Sequence, residues 1–68
     1  MNRYYVNENS QPTGEHEVHE EGCVFMPDIW NRKYLGYFVD AKEACKEARK
    51  LYSNVDGCYY CSREAHKE

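Results

Sequence analysis

Apolar and polar residues alternate from Arg3 to Asn7 (RYYVN), with Tyr4 and Val6 on one face and Tyr5 on the other. Aromatic and β-branched residues suit a pleated, half-buried surface, so this stretch predicts a strand. ENSQPTG follows, where Pro12 and Gly14 supply a bend. EHEVHEEGC then predicts a second, polar strand with His16 and Val18 on one face and Glu17 and His19 on the other. The two strands make a hairpin with a long loop. VFMPDIWNRK is apolar but broken by Pro27, which predicts an ordered loop whose Phe25, Met26, Ile29 and Trp30 cover one edge of the core. YLGYFV (34–39) is apolar in both parities, the pattern of a central strand packed on one side and lidded on the other.

A helix is predicted over about 40–53. Asp40 is a good N-cap, and Glu43 stands three residues later. Ala41, Ala44, Cys45, Ala48, Leu51 and Tyr52 fall on one stripe, while Glu43–Lys46 and Glu47–Lys50 pair on the wet face. The stripe is mostly small, so the core volume has to come from the sheet aromatics. After a turn at Asp56-Gly57, GCYYC predicts a last short strand, and the polar tail 62–68 is expected to fray unless His66 is tied down. The expected fold is therefore α+β: a small antiparallel sheet of three to four strands in β-β-β-α-β order, with one helix on one face. Residues 1–68 form one small domain with an ordered core of about 3–61.

Length adds a constraint. A 68-residue chain buries only about 60% of its unfolded surface, so a metal, a disulfide or a partner is a natural staple. The formal charge of −3 argues against a general polyanion binder, and nucleic acid is an unfavoured partner. Tyr59 and Tyr60, with Arg32, Lys33 and Arg63, are the residues a base-stacking site would use. Charge is uneven: residues 1–30 carry −5 and residues 31–68 carry +2, which suits solvated faces and also head-to-tail attraction. No apolar run approaches 18 residues and no secretory leader pattern is present, so the expectation is a cytoplasmic chain with no membrane role and mostly reduced thiols.

The four cysteines then divide. Cys45 sits in the helix stripe, where a free thiol behaves as a small hydrophobe. Cys23, Cys58 and Cys61, with His19 and His66, have the residue types of a tetrahedral zinc site, and CYYC has the gap of a zinc knuckle. Three points favour free thiols instead. A regular strand would put Cys58 and Cys61 on opposite faces. Two tyrosines are poor turn residues. A second CxxC pair is missing. A disulfide needs an oxidising compartment, and a reactive CxxC needs a helix N-terminus that the seven residues after Cys61 are too few to build. HEVHE lacks the four-residue histidine spacing of a helical metalloprotease motif.

The pattern RYYVN…HEVH…C…YLGYF…GCYYC…H resembles a family of small uncharacterised bacterial domains, over nearly the whole chain from Arg3 to His66. Relatives in that pattern carry GCxxCCxxCH at the C-terminal end. Here Ser62 and Ala65 stand at two of those cysteine positions, which leaves Cys58, Cys61 and His66. The resemblance implies no known activity.

The expected function is a small, non-enzymatic binding or protein-interaction module. Its contacts would be Tyr59, Tyr60 and Trp30, and its partner another protein or a second copy meeting an edge strand. The alternative is a zinc-stabilised domain, with structural zinc the one cofactor in view. A small redox or other enzyme is a third class, disfavoured by the little room left for a pocket.

Overall fold

The computed structural model describes residues 1–67. Strands β1 (Asn2–Asn7), β2 (His16–Glu20) and β3 (Arg32–Phe38) precede helix α1 (Ala41–Ala48) and a short β4 (Val55–Gly57). Single turns of 3-10 helix lie at Ile29–Asn31 and Arg63–Ala65. The α+β class and the element order agree with the sequence pattern. The sheet, however, is mixed rather than antiparallel: its order is β3-β1-β2-β4, and β4 runs parallel to β2. The cause is the helix. It carries the chain back across one face of the sheet, so the strands before and after it point the same way.

The hairpin β1–β2 pairs Tyr4 with Glu20, Tyr5 with His19 and Val6 with Val18. Tyr4, Val6 and Val18 are buried under α1, whose Ala41, Ala44, Cys45 and Ala48 are all closed to solvent. Burial pushes the Tyr4 hydroxyl up to about 12. The small helix stripe lets the backbones approach, and Leu35, Phe38 and Tyr52 fill the margins. Asp40 caps the helix as expected, its carboxylate accepting from the Glu43 N–H at 3.0 Å.

Three expectations need correction. The helix stops at Ala48, so Leu51, assigned to the stripe by period, is half-exposed. β3 is an edge strand, not a central one. Its apolar residues in both parities reflect a bulge between the Tyr4 and Tyr5 pairings: Tyr5 faces Tyr34 and Tyr4 faces Gly36, leaving one residue extra. Tyr34 and Tyr37 consequently share the outer face, where Tyr34 packs on Tyr5 and Arg3 lies over Tyr37. The loop 24–31 does not cover the core edge. Phe25, Ile29 and Trp30 are exposed, because α1 and residues 62–65 already occupy the apolar face.

Residues 62–67 are seated, as expected for a tail whose His66 is tied down: its Nδ1 lies 2.9 Å from the Gly57 carbonyl oxygen. Ser62 and Ala65 are buried, and Glu64 accepts a hydrogen bond from the Ala41 N–H at the head of α1. The Asp56 carboxylate accepts from the Lys67 N–H at 2.7 Å. Seating depends on Gly57. A Cβ there would stand 2.6 Å from the Ser62 carbonyl oxygen and 2.9 Å from the Ala65 Cβ, so only glycine admits this approach.

Candidate metal centre

The last strand ends at Gly57, four residues before the end of the GCYYC stretch expected to form it. Asp56-Gly57 belongs to β4, and the cysteines come after it. Gly57 pairs with Val18, and the Cys58 N–H donates to the Val18 carbonyl at 2.9 Å. Parallel pairing thereby delivers Cys58 to the level of His19. The chain then turns: the Ser62 N–H donates to the Cys58 carbonyl at 2.9 Å. This turn removes the opposite-face objection, since Cys58 and Cys61 do not lie in a regular strand. Tyr59 and Tyr60 are tolerated in it because their rings leave the turn for solvent.

Cys23 reaches the same place from the other side. Beyond the Glu21-Gly22 turn, its N–H donates to the Glu20 carbonyl at 3.1 Å. The ligand atoms of His19, Cys23, Cys58 and Cys61 then all lie within 4.8 Å of one another. The Sγ atoms of Cys23 and Cys58 are 3.9 Å apart, as are the Cys61 Sγ and the His19 Nδ1. Zinc with bonds of about 2.3 Å to sulfur would set tetrahedral sulfur–sulfur edges of about 3.8 Å.

The surroundings suit thiolates around a cation. The Glu20 N–H donates to the Cys61 Sγ at 3.2 Å, and the Phe25 N–H to the Cys23 Sγ at 3.4 Å. Burial pushes the Cys58 thiol up, while the backbone N–H groups of Cys61 and Tyr60 pull it the other way. Burial likewise raises Cys61, against the Glu20 N–H. His19 is 1% exposed, and desolvation lowers its pKa to about 4, so the imidazole is neutral at pH 7 and has a lone pair to give. Its Nε2 lies 3.4 Å from the Glu17 carboxylate. A carboxylate on the far nitrogen of a ligating histidine holds the ring's orientation and raises its basicity. Glu17 is the residue that sequence reasoning missed. The signal was present, since residues two apart on a strand share a face.

His66, the fifth candidate ligand, is not brought to the cluster. The 3-10 turn carries it back along β4, where its Nδ1 lies 2.9 Å from the Gly57 carbonyl oxygen and 3.3 Å from an Asp56 carboxylate oxygen. His16 points to the helix side and stacks on Tyr52 at 3.8 Å. Of the three contact candidates, Tyr59 and Tyr60 pack edge-on at 5.3 Å, and Tyr60 stacks on Phe25 at 4.5 Å. Trp30 stands apart, 84% exposed and without a ring contact among the described residues.

No family model matches the chain, and neither does any curated protein or solved structure. Among the described residues no helix is long and apolar enough to cross a membrane.

Proposed function

We propose that the chain is a small zinc-stapled binding module, non-enzymatic and cytoplasmic. One observation carries the reading: two segments distant in sequence, 19–23 and 58–61, converge so that a histidine nitrogen and three cysteine sulfurs meet within 4.8 Å. Four protein donors fill a tetrahedral zinc and leave no open position for substrate, which is the character of a structural site and not of a catalytic one. A 68-residue domain with a thin helix stripe gains most from such a staple, because metal binding here is folding free energy. A reducing compartment keeps the three thiols available to the metal.

The binding role rests on what the staple displays. Cys23 and the Cys58–Cys61 turn hold Phe25, Tyr59 and Tyr60 as one exposed aromatic cluster, and Arg63 lies 4.7 Å over the Tyr59 ring. Exposed aromatics on a rigid support are the usual anchors of protein contacts. The free edge of β3 offers a second route, through strand addition by another protein or by a second copy.

Native mass spectrometry tests the metal. The protein purified under reducing conditions is expected to carry one zinc per chain, lost with a chelator together with the cooperative melt. Bare mass, a chelator-indifferent melting temperature and rapid labelling of Cys23, Cys58 and Cys61 would refute it. Cys45 should resist labelling until the domain unfolds.

A further inference from the structure

Along α1 the structure gathers positive charge. Lys42, Lys46 and Arg49 occupy successive turns of one helix flank, and Lys67 faces them from the C-terminal segment. They line an open concavity of about 340 Å³ whose floor is Cys45 and Ala65. Four of the chain's nine Lys and Arg residues thus meet in one place, in a protein whose net charge is −3.

This charge is poorly answered from within. Glu43 pairs with Lys46 at 3.5 Å, but Glu47 pairs with Lys50, which is outside the concavity. Glu64, the one acid in the lining, has a carboxylate oxygen accepting from the Ala41 N–H at 3.1 Å. Lys42, Arg49 and Lys67 have no ion pair among the described residues. Like charges at i,i+3 and i,i+4 destabilise a helix, so the arrangement is a standing cost that an anion would relieve.

We propose that this concavity binds a small phosphate monoester. The choice follows from the lining. A guanidinium takes two phosphate oxygens in its fork, and ammonium groups from two directions take the third oxygen and the second charge. A carboxylate has two oxygens and one charge, too few for four cations. A nucleic-acid strand needs a basic track, whereas these cations converge on one hollow and the chain as a whole is acidic. The hollow falls at the lower end of small-ligand pockets, and the apolar Cys45–Ala65 floor suits the carbon skeleton of the ester. The site is separate from the cysteine cluster and does not depend on a metal there.

The test is a ¹H–¹⁵N titration of the full chain with glycerol 3-phosphate at fixed ionic strength, run beside inorganic phosphate, sulfate and glycerol. Saturable shifts confined to residues 41–49 and 64–67 are expected for the ester, weaker binding for inorganic phosphate, and none for glycerol. Lys42→Gln and Arg49→Gln should each weaken ester binding about tenfold, the loss of one charge-assisted contact. Lys50→Gln should leave it unchanged. Both lining side chains are exposed, so folding of the variants is read directly from an unchanged spectrum elsewhere. Shifts that do not saturate, that sulfate reproduces, or that survive Lys42→Gln and Arg49→Gln in a folded chain would overturn the site. Inorganic phosphate binding as tightly as the ester would overturn the assignment of a monoester.

Discussion

Gly57→Ala probes the joint between the fold and the candidate metal centre. Gly57 is not among the glycines with positive φ, so alanine meets no backbone penalty there, and its effect is steric alone. The added methyl would stand 2.6 Å from the Ser62 carbonyl oxygen, 2.9 Å from the Ala65 Cβ and 3.0 Å from the Ala65 carbonyl carbon. Carbon atoms pack at about 3.5–4.0 Å, so the segment 62–65 must retreat from β4 by at least about 0.6 Å. Two of the three opposing atoms are backbone, which a rotamer change cannot move. Overpacking costs about 1–3 kcal/mol, and this site belongs in the upper half of that range. For a domain of this size the melting temperature should drop by roughly 10–20 °C. The same retreat drags the Cys58–Cys61 turn from His19, so zinc affinity should fall with it. Thermal unfolding followed by circular dichroism, with a chromophoric chelator competition, measures both. A melting temperature within about 2 °C of wild type, with unchanged zinc affinity, would show that the tail is not seated on Gly57 and refute the packing argument.

Glu17→Gln should keep the fold but weaken zinc binding about 10- to 100-fold, because the His19 ring loses the carboxylate that orients it; equal affinity in a competition assay would count against that role. Cys45 has its pKa raised by burial to about 11 from an ordinary 9.0, so its contribution is fully present below pH 9 and is lost as pH rises through 11. The alkaline loss is on the order of 2–3 kcal/mol. It is read as the difference between wild type and Cys45→Ala, which isolates it from Tyr4. Asp40→Ala should cost about 1 kcal/mol in a urea melt by removing the Glu43 N–H cap, and no loss would mean that Glu64 suffices at that helix end.

Signals that act between near neighbours were all legible in the sequence. The alternation of Tyr4, Tyr5 and Val6, the Asp40 cap and the run of small residues at 41, 44, 45 and 48 determined one helix on an aromatic sheet. They do so because strand parity, capping and helical period are properties of a few consecutive residues. The place of β3 was misread for the same reason: a bulge shifts parity without leaving a mark in the hydrophobic pattern.

The candidate site shows the other side. Sequence supplied the residue types, yet it favoured free thiols and offered His66 beside His19. The choice between them depends on how residues some 40 positions apart meet. Only the parallel docking of β4 on β2, with the turn that Gly57 permits after it, sets Cys58 and Cys61 against His19 and Cys23 and sends His66 back to Asp56. Strand order and direction are decided by which faces the whole chain can bury at once, and no local window of residues contains that information.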